Sequence, residues 1–215
     1  MTGTSMTARI SRSALALVLF LLGGCNMLAG RPHPVTLHVL EPPAGAVHAS
    51  PAATTKISSA VLLVRDTESP GVFQSLNLVY SRTPGTLSYY QYARWSEMPA
   101  RRFNTLMRQR LDASGLYGAV AEMGSGVLAD YQLNTRLLDF HHDAAQSPGV
   151  ARVFLEAELV HRRDARLIAR RQFKAEAPVP AYDATGAANG LGLASARILD
   201  ELMVWLSQVQ PVDAR

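Results

Sequence analysis

The sequence has little of what marks several protein classes. It holds one cysteine in 215 residues, which excludes an intrachain disulfide framework and a cysteine-based zinc site. No uncharged apolar run reaches the ~20 residues that a membrane-spanning helix requires. Two of the 21 basic residues, Arg9 and Arg12, precede Cys25, so 19 basic and 17 acidic side chains remain after it. Such a small balance argues against a nucleic-acid-binding surface.

The amino-terminal segment has the order of a bacterial export signal. Arg9 and Arg12 are followed by an uncharged apolar run over residues 14–22 and then by two glycines. This is the basic region, apolar region and small-residue cleavage site of a signal peptide. We therefore expect residues 1–24 to be removed on export.

The residues Leu22-Gly23-Gly24-Cys25 resemble the lipobox of bacterial lipoproteins. A thiol is needed for the thioether to diacylglycerol, and the small residues before it give the signal peptidase access to the backbone. We predict lipidation at Cys25 with palmitate-type chains, since several acyl chains together hold a protein durably on a membrane. Asn26 stands where an aspartate would favour inner-membrane retention, so the outer membrane is expected. An ordinary signal peptide with a chance cysteine is the alternative.

After a lipidated tether over residues 25–32, residues 33–210 are expected to form one domain. The chain is 48% hydrophobic and 18% charged, which is typical of a soluble domain with a buried core. Alternating apolar and polar residues predict seven strands, with a change of face near Leu138. The predicted strands cover residues 35–40, 60–64, 76–80, 87–93, 129–140, 151–161 and 166–176. The Pro-, Ala- and Ser-rich residues 41–56 predict a surface loop.

Two further segments have helical periodicity. Over Pro99–Ser114 the apolar residues recur at three- and four-residue spacing, with proline at the start and Gly115 as the stop. Residues 184–208 carry a longer apolar stripe of the same kind. The order of elements predicts an α+β fold, a single small domain with a mostly antiparallel β-sheet covered on one face by two amphipathic helices.

Three short motifs invite functional interpretations, and each also has a structural one. His141-His142-Asp143 suggests a metal site, but adjacent strand side chains point to opposite faces, which favours a polar strand end. Gly190-Leu191-Gly192 lacks the third glycine of a dinucleotide fingerprint and is more typical of a loose helix start. Ser125, between Gly124 and Gly126, lacks the spacing of a nucleophile elbow and is more typical of a turn. We predict no metal, no cofactor and no catalytic residue.

The densest aromatic patch is formed by Tyr89, Tyr90, Tyr92 and Trp95. One interpretation is packing within the core and a β-hairpin. The other is a protein interface, since tyrosine and tryptophan offer a large contact area with a polar end. The residues on the outward face of the hairpin are then the candidates for contact with a partner.

The order and spacing of these features resemble a known family. The segments that carry the resemblance, after the lipobox and a first short strand, are Tyr92-Ala93-Arg94-Trp95-Ser96-Glu97-Met98-Pro99, an amphipathic helix with Leu111 and Gly115, Ala129-Asp130-Tyr131-Gln132-Leu133 and Leu138-Asp139-Phe140. Over about residues 33–209 the chain resembles the ABC-type transport auxiliary lipoproteins, the PqiC-like family. It departs at residues 36–40, where relatives often carry Tyr-x-Leu.

The resemblance implies a non-enzymatic lipoprotein subunit of an MCE-type ABC phospholipid transport system, on the periplasmic face of the outer membrane. The implied partners are an ABC permease, its ATPase and an MCE-domain protein that bridges the periplasm and that the lipoprotein docks. Ring-like oligomers are known among relatives, so a homo-oligomer is implied too. Two other functions stay open: a lipoprotein that itself binds lipid in an apolar pocket, and an envelope hydrolase with residues assembled around His141 or His161.

Overall fold

Two ranges of the chain, residues 33–42 and 58–209, are described by the computed structural model. Within the unit that begins at Val35, eight strands and two α-helices follow one another. The strands are β1 (Thr36–His38), β2 (Val61–Val64), β3 (Asn77–Ser81), β4 (Ser88–Trp95), β5 (Ala119–Glu122), β6 (Tyr131–Asp143), β7 (Val150–His161) and β8 (Arg166–Pro178). The helices are α1 (Pro99–Ser114) and α2 (Ala184–Val209). Cys25, the signal peptide, the tether and most of the predicted loop lie outside the described residues.

All eight strands belong to one mixed sheet, so the predicted α+β class is confirmed. The long strands β6, β7 and β8 pair antiparallel with each other. The short strands add parallel pairs, because β2 lies parallel between β5 and β6 and β1 lies parallel to β4. The sheet order is β1-β4-β3-β6-β2-β5, with β7 and β8 added on the other edge of β6. Strand β6 therefore joins the long antiparallel part to the short strands.

The strand predictions from alternation are confirmed, with one strand missed. The expected change of face in β6 occurs as a register shift between Leu137 and Asp139 in its pairing with β7. Strand β5 was not predicted, because Ala119-Val120-Ala121-Glu122 is short and carries no clear alternation of apolar and polar residues. It forms because its backbone pairs in parallel with β2 along four residues.

Helix α1 has the bounds that its sequence predicts. Pro99 is its first residue. Proline has no backbone N–H, and at this position an N–H would have no acceptor within the helix. The residue after its last turn, Gly115, has φ +63°, a left-handed conformation that glycine adopts without steric penalty. The apolar residues Phe103, Met107 and Leu111 are buried on one face. The apolar spacing, the first proline and the glycine after the last turn therefore determine the bounds of this helix from nearby residues alone.

The glycines of helix α2 correct one prediction. They were expected to mark a loose helix start, but α2 begins at Ala184 with Asp183 accepting the N–H of Gly186 at 2.7 Å, so Gly190 and Gly192 lie inside it. A β-carbon on Gly192 would overlap the Glu41 carbonyl oxygen. The missing side chains therefore let the helix pass close to the neighbouring backbone.

The two faces of the sheet differ in composition. The face toward the helices holds the core, where the aromatic rings of Phe140 and Trp95 lie 5.7 Å apart and those of Phe173 and Trp205 also 5.7 Å apart. On the opposite face, β6, β7 and β8 carry ion pairs, among them Arg152 with Asp143 at 2.9 Å. We call this opposite side the outer face.

Candidate partner-binding surface

Strand β4 places the four aromatic candidates in different surroundings. Trp95 is only 1% exposed and packs in the core against Phe140. Tyr90 is half-buried, whereas Tyr89 and Tyr92 are 47% and 43% exposed. The register of β4 with β3 shifts between Asn77 and Val79, so simple alternation does not hold along the strand. Core packing therefore applies to Trp95 and Tyr90, whereas Tyr89 and Tyr92 stay candidates for a protein interface.

Tyr90 belongs to a buried polar cluster that the sequence did not predict. Its hydroxyl lies 2.7 Å from Nδ1 of His142, and Nε2 of His142 lies 2.9 Å from the carbonyl oxygen of Pro148. Since a carbonyl can only accept, Nε2 carries the proton and Nδ1 accepts from Tyr90. The rings of Tyr80 and Tyr182 pack against this pair. His142 is fully buried, so it is a core residue and not a polar strand end.

Burial keeps both members of this hydrogen bond neutral. It raises the pKa of Tyr90 to about 12, helped by the nearby Tyr182, and it lowers the pKa of the His142 imidazole. The hydrogen bond from His142 to the Pro148 carbonyl opposes the lowering without cancelling it. The cluster thus joins β3, β4 and β6 to the segment before α2 by neutral polar contacts.

A pH dependence of stability follows from the lowered pKa of His142. The unfolded chain binds a proton at this imidazole below the ordinary pKa of 6.5 while the folded protein resists it, so stability is retained above that pH and lost as the pH falls. We expect the urea midpoint to decrease between pH 7.5 and pH 5, and to decrease less in His142→Gln. The exposed His33→Gln variant serves as the control and keeps the wild-type profile. A wild-type profile in His142→Gln would contradict this role.

Exposed apolar side chains occur on and beside β1, at the edge of the sheet, and on its neighbour β4. Leu37 of β1 pairs in parallel with Arg94 of β4, which neighbours the buried Trp95, so Leu37 and Arg94 point to the outer face. Leu37 is 64% exposed, and Val35 and Val39 on the same side of the chain are about half exposed. We define the β1–β4 surface as Val35, Leu37, Val39, Tyr89 and Tyr92.

The backbone of β1 adds an open hydrogen-bonding edge to this surface. Strand β1 is the first in the sheet order, and no strand of residues 33–42 and 58–209 pairs with its other side. The chain is held firmly just after β1, because the N–H of Ser96 donates to the His38 carbonyl at 2.8 Å and Nε of Arg102 donates to the Leu40 carbonyl at 3.0 Å. An exposed apolar edge strand of this kind is a template for an added strand.

The remainder of the outer face has a different character. Arg136 pairs with Glu156 at 3.5 Å, and the ammonium group of Lys174 lies 4.7 Å from the ring centre of Phe154. On these long strands β8 carries one large exposed apolar side chain, Leu167. Five such side chains lie on or beside β1 and β4, which marks that end as the candidate site.

The other sequence candidates do not come together as a site. His141 bonds to Asp139 at 2.6 Å on the side of β6 opposite to His142, and Ser125 lies in a turn between two glycines of positive φ. Among residues 33–42 and 58–209, no group of three or more His, Cys, Asp or Glu side chains could hold a metal ion. Neither helix there is both long and apolar enough to cross a membrane.

Comparison with protein families gives a match over most of this fold. The model of the family described as ABC-type transport auxiliary lipoprotein component matches residues 38–203. The chain belongs to this family. The resemblance predicted from the sequence is thereby confirmed, and this auxiliary lipoprotein is related by its family to an ABC-type transport system. A comparison with curated proteins gives no match.

Solved structures share the fold of this auxiliary lipoprotein. Protein XCC0632 from Xanthomonas campestris is 26% identical with a TM-score of 0.73, over 81% of this chain and 96% of that one. An uncharacterized protein is 13% identical with a TM-score of 0.62, over 80% and 99%. The hypothetical protein CT253 from Chlamydia trachomatis is 9% identical with a TM-score of 0.51, over 71% and 98%. The last two likenesses show the fold alone.

Sequence reasoning found only part of the β1–β4 surface. It singled out Tyr89 and Tyr92 because they lie in the segment richest in aromatic residues. It did not place any apolar side chain of β1 at the surface. The signal was present, because Val35, Leu37 and Val39 alternate with polar residues. Alternation predicts which residues share a face, and only the position of β1 at the sheet edge shows that this face is open.

Proposed function

We propose that this chain is a non-catalytic, lipid-anchored subunit of an MCE-type ABC intermembrane phospholipid transport system. In this proposal it docks the periplasm-spanning MCE-domain protein, which works with an ABC permease and ATPase. The observation that carries the proposal is the apolar β1–β4 surface with its open backbone edge on a member of the auxiliary lipoprotein family. A surface of this kind is expected on a subunit that binds another protein.

The lipid anchor is the second part of the proposal. Acylation of Cys25 would hold the protein at the periplasmic face of the outer membrane, with Asn26 favouring that membrane over the inner one. Leu37 lies twelve residues after Cys25, and an extended chain spans at most ~3.3–3.6 Å per residue. The β1–β4 surface would therefore stay within about 45 Å of the lipid, close to the end of a bridging partner.

Docking would use the two properties of the surface together. A partner strand beside β1 would pair with its open N–H and C=O groups, and apolar side chains of the partner would cover Leu37 and Tyr92. Full burial of one such aliphatic side chain contributes about 1.5–3 kcal/mol. Backbone pairing fixes the register, while the side chains give the affinity.

The surroundings of the histidines support a non-catalytic subunit. His141 bonds to Asp139 and His161 bonds to Asp164, both at 2.6 Å. In a catalytic triad an aspartate also holds Nδ1, while Nε2 bonds to the hydroxyl nucleophile. Among residues 33–42 and 58–209, Nε2 of neither histidine hydrogen-bonds to a hydroxyl group. The buried His142 is engaged by Tyr90 and by a carbonyl. These contacts are what structural histidines make.

Cross-linked co-purification tests the docking. We expect the MCE-domain protein to be captured with the wild-type chain, and the captured amount to fall at least tenfold in Leu37→Arg, because a charge would be buried in the interface. Val204→Arg is the matched control, since Val204 is also an exposed aliphatic residue but lies on α2. It should retain the capture.

Two results would count against the proposal, and they are distinct. If the wild-type chain captures no component of an ABC transport system from cross-linked envelopes, the docking function is wrong. If Leu37→Arg and Val204→Arg capture the MCE-domain protein equally well, docking stands and its assignment to the β1–β4 surface is wrong.

A further inference from the structure

A polar cavity of about 570 Å³ lies beside α1, remote in sequence from β1. One wall is a stripe along α1 at three- and four-residue spacing, formed by Arg101, Asn104, Thr105 and Arg108. The other wall includes residues of the segment after β2 and the turn beyond it, among them Asp66, Thr67, Ser69 and Gln74. This volume is within the range of small-molecule sites, about 300–1,000 Å³.

The most buried polar side chain of the lining is held in place by hydrogen bonds. Asn104 is 8% exposed, and its Nδ2 donates to the Arg65 carbonyl at 2.7 Å. Thr67 contacts the same amide and bonds to Thr135 of β6 at 2.8 Å. The base of the cavity is therefore tied to both α1 and the sheet, so its shape is preorganised.

The charges of the cavity are not all balanced. Arg108 forms an ion pair with Glu122 of β5, and both residues line the cavity. Arg101 on one wall and Asp66 on the other form no ion pair with each other or with any other residue of the two described ranges. One cation and one anion that line the same cavity are thus left without an ion-pair partner among the described residues.

We propose that this cavity binds a small zwitterion in which a phosphate ester is joined to an ammonium group by a short chain, as in ethanolamine phosphate esters. The guanidinium of Arg101 would donate to the phosphate, which matches its fork of N–H groups. The Asp66 carboxylate would accept from the ammonium group.

Simpler ligands fit this charge pattern less well. A plain anion would be repelled by Asp66, and a plain cation would be repelled by Arg101. An α-amino acid carries both charges on one carbon atom, whereas Asp66 and Arg101 lie too far apart to pair with each other. A short chain between the charges lets one ligand neutralise both walls at once.

Calorimetry on the full lipidated protein in a nonionic maltoside detergent tests the proposal. The titrants are glycerophosphoethanolamine, its two halves glycerol 3-phosphate and ethanolamine, and γ-aminobutyrate as a zwitterion with a carboxylate. We expect glycerophosphoethanolamine to bind at least tenfold more tightly than the other three. In Asp66→Asn, glycerophosphoethanolamine should bind no more tightly than glycerol 3-phosphate. In Arg101→Gln, it should bind no more tightly than ethanolamine.

Matched controls separate the site from general charge effects. Glu201→Gln on α2 and Arg163→Gln in the turn between β7 and β8 remove the same charges from exposed positions away from the cavity. They should bind glycerophosphoethanolamine as the wild type does. No preference for this zwitterion, an equal affinity for γ-aminobutyrate, or equal losses in the control variants would overturn the proposal.

A second arm identifies the source of the ligand. Dihexanoyl phosphatidylethanolamine, used below its micelle concentration, carries the same headgroup with two short acyl chains. Tighter binding of this lipid than of glycerophosphoethanolamine, still dependent on Asp66 and Arg101, assigns the site to a lipid headgroup. Equal binding assigns it to a soluble ester.

Discussion

Replacing Trp95 with alanine lowers the free energy of unfolding by about 3–5 kcal/mol, the range for deleting a buried aromatic side chain. Trp95 is 1% exposed and packs against Phe140 in the core, so the substitution leaves a large cavity. Folded domains have only about 5–15 kcal/mol in total, which makes this the largest stability effect that we expect. Urea denaturation followed by far-ultraviolet circular dichroism measures it.

Tyr92→Ala is the control for the Trp95 experiment. Tyr92 lies three residues earlier on the same strand but is 43% exposed, so its truncation should change stability by about 1 kcal/mol or less. Equal losses in the two variants would show that Tyr92 is also a core residue. The comparison therefore tests the division of the aromatic patch into a packing pair and an exposed pair.

Replacing Cys25 with serine should move the protein from the membrane to the soluble fraction. Each buried methylene contributes about 0.8 kcal/mol to membrane attachment, and without the thiol no thioether to diacylglycerol can form. Palmitate labelling and membrane fractionation measure the change, and we expect label and membrane attachment to be lost together. Among the variants considered, this one has the largest effect on location.

A second substitution checks that the position of the thiol matters. In Cys25→Ser/Thr36→Cys the chain again has one cysteine, now within β1, and neither label nor membrane attachment should return. Palmitate incorporation in this double variant, or full incorporation in Cys25→Ser alone, would show that the lipid is attached elsewhere. The anchor part of the proposed function would then be wrong.

Locally encoded elements were predictable from the sequence. Helix α1 has its predicted bounds because Pro99, the apolar spacing and Gly115 act within a few residues of each other. Strand β7 alternates over most of its length, so its inward residues followed from periodicity. Strand β8 alternates from Phe173 onwards, but a register shift in its pairing with β7 leaves Leu167, which periodicity had placed on the same face as Phe173, 48% exposed. The shift in β6 near Leu138 was visible as a break in that alternation.

Features that depend on distant partners were not predictable. Strand β5 exists because it pairs with β2, which lies more than fifty residues earlier in the chain. His142 sits next to His141 and Asp143 and has a polar neighbourhood in sequence, yet it is buried because Tyr90 and the Pro148 carbonyl satisfy both ring nitrogens. A single sequence carries no signal for such pairing.

The β1–β4 surface lies between these two cases. Its aromatic part was visible as a dense patch, and its strand β1 was visible as an alternating segment. Their combination depends on the parallel pairing of Leu37 with Arg94, between segments 57 residues apart in the numbering. Exposure also needed the structure, since Trp95 and Tyr92 belong to the same patch but differ in burial.

The short length over which β1 pairs with β4 has a mechanical consequence. Tension applied at the amino-terminal end of the chain reaches β1 first, and only three residues of β1 pair with β4. Beyond it, the buried Leu40 and the bond from Arg102 to the Leu40 carbonyl hold the chain. Tension would therefore detach β1 from β4 before any load reached the core. The chain on the amino-terminal side of the core would then lengthen by about 10 Å, at ~3.3 Å per residue.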